Sequence, residues 1–161
     1  MPGYTQEVNL GTDGVLNIAI GGVFDETVNL DGMISGKEFS EIRFNFSAVK
    51  RINSSGVRKW LLFLQNHKGQ LKISLDAAPP CVVEQMNLIA GFLDGVMVRS
   101  IFLPYVCTQC DHEHMELIES AEFAKLKTEL PVMTCSSCNH PNMEFDYLPE
   151  EYLYFLSQSV M

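Results

Sequence analysis

The sequence lacks any apolar run long enough to cross a membrane, because Gly, Asn or charged residues interrupt its hydrophobic stretches well short of roughly 20 residues. Its start, MPGYTQEVNL, has neither a basic leader nor an apolar stretch, so we expect no export signal, no membrane partner and a cytoplasmic location. Glycine-rich phosphate loops of the GxGxxG or Walker type are missing. No Ser/His/Asp order or carboxylate pair stands out, so nothing in the sequence favours an enzyme.

Basic residues are scarce. The chain of 161 residues carries 11 basic against 20 acidic side chains, a net charge of −9. A field of this sign repels phosphate backbones, and acidic residues crowd the region between residues 111 and 122. We therefore expect a protein partner and no nucleic acid. Hydrophobic residues make up 47% of the chain, which is enough to build a folded core.

Two Cys-x-x-Cys pairs lie in the last third of the chain, Cys107 with Cys110 and Cys135 with Cys138. Each pair can supply half of a tetrahedral shell, so the duplicated pattern predicts a structural Zn²⁺ site, and iron would fit the same shell. One alternative is a redox dithiol, although such a motif usually needs one pair followed by a helix. Another is two disulfides, which cytosolic proteins rarely keep.

Hydrophobic periodicity predicts alternating strands and helices over residues 1–103. Residues 16–20, 42–46 and 71–75 alternate apolar with polar side chains, so one face of the sheet should be polar and the helices should cover only the other. Apolar residues at helical spacing predict helices over 57–64 and 82–93, the second ending near Gly95, and a weaker helix between Asp25 and Gly36. Residues 104–161 change character and predict a small zinc-ribbon-like domain with a short C-terminal helix beginning near Pro149.

One further cysteine and three histidines are candidates for reactive or metal-binding roles. Cys81 is the odd thiol, and its position beside Pro80 at a helix start would lower its pKa, whereas a small buried residue is the simpler interpretation. His112, His114 and His140 lie beside the cysteines, but four thiolates already complete a shell, so we expect supporting or solvent-facing roles.

Residues 41–60, EIRFNFSAVKRINSSGVRKW, resemble the centre of STAS domains, a family that includes anti-sigma factor antagonists and the cytosolic tails of sulfate transporters. Asn53-Ser54-Ser55-Gly56 is similar to the D-S-S-G-type motif that opens the partner-binding helix of that family, with Asn53 in place of its Asp. The resemblance implies an α/β fold over residues 1–103, with a mixed sheet and helices on one face. It also implies phosphorylation of Ser55 by a partner kinase of the anti-sigma type, which would switch binding off.

The neighbouring Asn53, Ser54, Gly56 and Arg58 would share that partner site. A purely structural interpretation stays open, in which Ser54 or Asn53 caps the helix and Gly56 permits a tight turn.

The expected function is a non-enzymatic regulatory or protein-interaction module, similar to an anti-sigma factor antagonist, with a structural zinc site. The alternatives are a STAS-type sensor of a nucleotide or anion, a thiol redox protein, and a nucleic-acid-binding ribbon. A homo-oligomer is compatible with each of them.

Overall fold

A computed structural model describes residues 3–158 of the protein. The strands are β1 (Tyr4–Leu10), β2 (Val15–Phe24), β3 (Glu41–Ile52), β4 (Ile73–Asp76), β5 (Val96–Val98), β6 (Ser100–Val106), β7 (Glu113–Glu119) and β8 (Glu144–Phe145). The helices are α1 (Leu30–Ile34), α2 (Ser54–Asn66), α3 (Pro80–Leu88), α4 (Phe123–Leu126), α5 (Pro149–Tyr152) and α6 (Tyr154–Gln158), and a 3₁₀ turn (Ser120–Glu122) precedes α4.

Two sheets organise these elements. The first has the order β1-β2-β3-β4-β5, in which β1 runs antiparallel to β2 and the other neighbours are parallel. The second is antiparallel and has the order β7-β6-β8. The predicted α/β fold with a mixed sheet is therefore confirmed.

The two faces of the first sheet differ as the alternation predicts. Ile18 and Phe44 are fully buried, whereas their strand neighbours Asn17 and Asn45 are exposed. The apolar face carries the helices, and Trp60 of α2 lies at the centre of their contact with the sheet. Its indole ring meets four aromatic rings and its Nε1 donates a hydrogen bond of 2.7 Å to the Phe92 carbonyl.

Helix α1 begins later than the sequence suggests. Asp25 does not cap it, because the Asp25 carboxylate accepts hydrogen bonds from the amide and hydroxyl of Thr27. These bonds lower the pKa of Asp25, more strongly than desolvation raises it. The cap is Asn29, whose side chain accepts from the amide of Gly32 at 3.0 Å. An Asx turn thus competes with helix initiation at Asp25 and prevails.

Helix α3 is shorter than its apolar spacing indicates. The prediction extended it over residues 82–93, but the helix ends at Leu88 and Ile89 adopts an extended conformation with φ −104° and ψ 115°. The segment that follows brings the carbonyl of Phe92 to the Trp60 indole. The early end of α3 is therefore accompanied by a tertiary hydrogen bond in the core.

The C-terminal segment packs directly on α3. The side-chain amide of Asn87 donates to the carbonyl of Tyr152 at 2.8 Å and accepts from the amide of Phe155 at 2.7 Å, at the break between α5 and α6. Tyr152 and Phe155 are buried in the same hydrophobic cluster as Trp60. The predicted C-terminal helix is present in two short pieces, and its aromatic residues join the core of the α/β part.

Strand β6 links the two sheets. Its residue Ser100 accepts hydrogen bonds from the amides of Ala77 and Ala78, and Ala78 forms a parallel bridge with Ile101. The start of β6, and with it the second sheet, is therefore hydrogen-bonded to the residues that directly follow β4. Over residues 3–158, no helix is both long enough and apolar enough to cross a membrane.

Candidate functional site

The four cysteines of the two Cys-x-x-Cys pairs converge. All four sulfurs lie within 4.8 Å of one another, with Sγ of Cys107 3.5 Å from that of Cys138 and Sγ of Cys110 3.6 Å from that of Cys135. None of them forms a disulfide. Cys107 and Cys135 are buried, whereas Cys110 and Cys138 are exposed at the surface. The sequence spacing predicted this grouping correctly.

The backbone builds the two halves of the cluster in the same way. The first cysteine of each pair donates its amide to the carbonyl five residues later, Cys107 to His112 at 2.8 Å and Cys135 to His140 at 2.9 Å. The carbonyl of that same cysteine accepts from the residue four positions on, in both cases at 2.9 Å. These residues, Asp111 and Asn139, have φ angles of 63° and 64°. The turn is therefore a repeat of six residues, Cys-x-x-Cys-Asx-His.

The Asx residue in each repeat is a feature that the cysteine spacing alone did not reveal. Asp and Asn are the residues other than glycine that most readily adopt a positive φ. Their place directly after the second cysteine is the signal that could have predicted two matching turns. The first turn joins β6 to β7, and the second precedes β8, so the second sheet holds both turns in place.

The environment of the four sulfurs favours the thiolate form at Cys107 and disfavours it at Cys138. Burial disfavours the Cys107 thiolate, but the amides of Cys110 and Gln109 donate to its sulfur, and the net result is a lowered pKa of Cys107. For Cys138 the amide of His140 favours the thiolate, but burial and the neighbouring thiols raise the pKa of Cys138. Four thiolates at these distances would repel one another strongly, and a cation between them removes that repulsion.

The sulfur positions fit a tetrahedral metal shell. A metal–sulfur distance of about 2.3 Å corresponds to sulfur–sulfur separations of about 3.8 Å in a regular tetrahedron, close to those observed. The four cysteines could therefore hold one metal ion. Among residues 3–158 no other set of three or more cysteine, histidine and acidic side chains converges in this way.

The histidines beside the cysteines do not complete the shell. Nε2 of His112 lies 3.3 Å from the hydroxyl of Ser136, which connects the first turn to the second. His114 instead pairs with Glu116 at 2.9 Å. His112 and His140 contribute through their carbonyls, which accept the amides of the first cysteines.

Cys81 lies outside the cluster. It is partly buried, its thiol donates to the carbonyl of Val49 at 3.6 Å, and burial together with the nearby Glu84 raises its pKa. The start of α3 therefore does not activate this thiol, in contrast to the lowered pKa considered from the sequence.

The left-handed conformation at Asn139 leads to a test of the turn geometry. We expect Asn139→Val to lower the affinity for zinc by about tenfold, because a β-branched residue at φ 64° costs about 1–2 kcal/mol. Asn139→Gly is the matched control, since glycine adopts this conformation without strain and should retain the affinity. Competition with a chromogenic chelator measures both. Equal affinities for the Val and Gly variants would contradict the role assigned to the turn.

The second group of candidate residues surrounds the start of α2. Asn53 is the N-cap, and its side-chain oxygen accepts from the amide of Gly56 at 2.8 Å. The amide of Asn53 donates to the carbonyl of Phe24 at the end of β2, at 3.2 Å. Of the two capping residues considered from the sequence, Asn53 and not Ser54 makes the contact. These residues are not part of the cysteine cluster.

Gly56 has a different role from the tight turn that the sequence suggested. It lies within the first turn of α2, and a Cβ atom added there would lie 2.0 Å from the carbonyl oxygen of Phe24 and 2.7 Å from its carbon. The helix therefore approaches β2 so closely that no side chain fits between them. Close backbone approach explains this glycine, and a positive φ does not.

The same turn leaves several side chains in solvent. Ser54, Ser55 and Arg58 are exposed, whereas Gly56 and Val57 between them are buried. The start of α2 is thus fixed on its inner side by the cap and by the contact with β2. On its outer side it displays two hydroxyl groups and a guanidinium group.

Comparison with known proteins finds no matching family model and no matching curated protein.

Proposed function

We propose that the protein is a non-enzymatic regulatory module that binds a partner protein through the start of α2, similar to STAS-type anti-sigma factor antagonists. The order of elements supports this proposal, since two strands are followed by alternating helices and strands in a mixed sheet. The stretch Asn53-Ser54-Ser55-Gly56 then begins α2, as the resemblance implies. An anti-sigma-type kinase is the partner that this resemblance favours.

The observation that carries the proposal is the contrast between the two sides of this turn. The cap and the contact of Gly56 with Phe24 fix the backbone, so the backbone that carries the exposed Ser55 has a defined position. A rigid, exposed serine near a helix N-terminus suits regulated phosphorylation, because the phosphate meets unpaired amides and the positive end of the helix dipole. The added charge would then displace a partner.

In this proposal the metal is Zn²⁺ and its role is structural. Four thiolates close the shell and leave no open position for a substrate, as in structural zinc sites. The ion would hold the two Cys-x-x-Cys turns together and thereby support the C-terminal segment that packs on α3. Catalysis is not assigned to any residue.

The experiment is affinity purification from the native host with wild type, Ser55→Ala and Ser55→Asp as baits. We expect a set of proteins that wild type and Ser55→Ala retain and Ser55→Asp loses, because the added charge mimics the phosphorylated state. Ser35→Asp is the matched control, since Ser35 is an exposed serine at the end of α1. Equal recovery by all four baits would remove the proposed switch.

A further inference from the structure

Charge is strongly segregated along the chain. Residues 42–75 contain seven basic and no acidic side chains, whereas the remainder contains four basic and 20 acidic ones. A protein with a net charge of −9 therefore carries one segment with a net charge of +7. The seven basic residues are Arg43, Lys50, Arg51, Arg58, Lys59, Lys68 and Lys72.

Four of these basic residues define what we call the α2 basic surface: Lys50, Arg51, Arg58 and Lys59. All four are exposed, and none forms an ion pair with any residue in the range 3–158. The other three basic residues of the segment are paired with carboxylates at 3.2–3.7 Å.

The fold places these four residues around the start of α2. Lys50 and Arg51 lie near the end of β3, three and two residues before the Asn53 cap. Arg58 and Lys59 follow within the next turn of the helix, three and four residues after Ser55. Residues at this spacing share one face of a helix, and the helix dipole adds partial positive charge at the same end. The surface therefore concentrates positive charge in an otherwise acidic protein.

A shallow notch of mixed polarity adjoins this surface between α1 and α2. Its volume is about 150 Å³, and its lining combines the apolar side chains of Val28, Leu30, Leu62 and Phe63 with Asn29, Asp31, Lys59 and Asn66. The carboxylate of Asp31 is already paired with His67 at 2.7 Å. Leu62 lies three residues after Lys59 in α2, and 46% of its surface is exposed. Positive charge and an accessible apolar side chain therefore lie next to each other.

We propose that the α2 basic surface binds an acidic segment of a partner protein, with an apolar side chain of that segment seated in the notch. This inference rests on the proposed function, which assigns the start of α2 to partner binding, and it names the chemistry of the partner. Complementary charge would steer the encounter, and the apolar contact would add directional specificity.

A protein segment suits this surface better than a nucleic acid does. The chain outside residues 42–75 has a net charge of −16, which repels a long polyanion wherever it extends past the basic residues. A short acidic segment confines its charge to the surface, because screening limits interactions to about 8 Å at physiological salt. Phosphorylated Ser55 would lie among the same basic side chains and would compete with the segment for them.

Fluorescence anisotropy with a labelled synthetic peptide tests the proposal. The probe has six glutamates around one leucine, and the same peptide with serine in place of leucine tests the notch. We expect the leucine peptide to bind wild type at low salt, with affinity falling as salt rises. The double substitution Arg58→Glu, Lys59→Glu should weaken binding at least about tenfold. The matched control is Lys125→Glu, Lys127→Glu, which changes the same charge at two exposed lysines in the acidic C-terminal part and should retain binding.

Three results would overturn the proposal: no binding of the peptide to wild type at low salt, equal loss in the two double variants, or tighter binding of a single-stranded oligonucleotide through Arg58 and Lys59. Equal affinities for the leucine and serine peptides would show that the notch takes no part in binding.

If the leucine peptide does not bind while Ser55→Asp still releases host proteins, the partner chemistry is wrong and the proposed function stands. If the peptide binds as expected while Ser55→Asp releases nothing, the basic surface stands and the switch is wrong.

Discussion

Removal of the metal ion that the four cysteines could hold is expected to unfold residues 104–158 and to leave residues 3–103 folded with reduced stability. Structural zinc sites contribute about 10–16 kcal/mol of binding free energy, which is as large as the whole stability of a typical domain. Without the ion, four sulfurs within 4.8 Å of one another no longer hold the two turns together. The short strands and helices of this segment cannot replace that energy by apolar burial alone.

Metal removal should affect residues 3–103 less, because they have a large hydrophobic core of their own. Trp60, the single tryptophan, is fully buried among Phe44, Phe46, Phe63 and Phe92 and far from the metal in sequence. Its fluorescence therefore reports on this core. The midpoint of thermal unfolding should still fall, because α3 loses its contacts with α5 and α6.

The measurement combines metal analysis, hydrogen exchange and tryptophan fluorescence, with and without a strong chelator. One zinc ion per chain is expected before chelation. Cys135→Ser should reproduce the effect of chelation, because it removes a buried ligand, and Cys81→Ser is the matched control outside the cluster. Solvent exposure of Trp60 together with loss of the metal would show that the two parts unfold as one unit. A reduced protein that holds neither zinc nor iron would refute the metal site itself.

Local patterns predicted the elements whose signal is strong. Leu16, Ile18 and Ile20 are buried and alternate with the exposed Asn17 and Ala19, because β2 is paired on both sides and buries one face. β1 has no such signal: only Tyr4 and Val8 are partly buried, and it pairs on one side alone. An edge strand gains less from apolar residues, so its sequence identifies it poorly.

Other features depend on contacts that sequence spacing does not encode. The cysteine pairs could be grouped from the sequence because four thiolates suit one metal ion. The positive φ at Asp111 and Asn139 had a weaker signal, an Asx residue directly after each second cysteine. The hydrogen bonds of Asn87 to Tyr152 and Phe155 join residues more than 60 positions apart. A polar side chain in a helix gives no sign in the sequence of which distant residue it will contact. The packing of the C-terminal segment on α3 could therefore not be predicted.

Gly56→Ala is expected to destabilise the protein by about 1–2 kcal/mol, although alanine is the better helix former. Helix propensity favours alanine by about 1 kcal/mol. Against this, the added Cβ would lie 2.0 Å from the carbonyl oxygen of Phe24, an overlap that backbone atoms cannot relieve by a change of rotamer. Overpacking of this kind typically costs 1–3 kcal/mol, and here α2 must move away from β2 and strain the hydrogen bond from Asn53 to Phe24. The clash therefore outweighs the gain in propensity.

Urea denaturation followed by Trp60 fluorescence measures this loss, and Ser55→Ala is the control in the same turn. Ser55 is exposed, so its replacement should change the free energy of unfolding by less than about 0.5 kcal/mol. Gly56→Ala should also weaken partner binding, because the displaced helix carries Ser55 and Arg58 with it. Unchanged stability in Gly56→Ala would mean that α2 does not meet β2 as closely as described, and the rigid presentation of Ser55 would lose its structural basis.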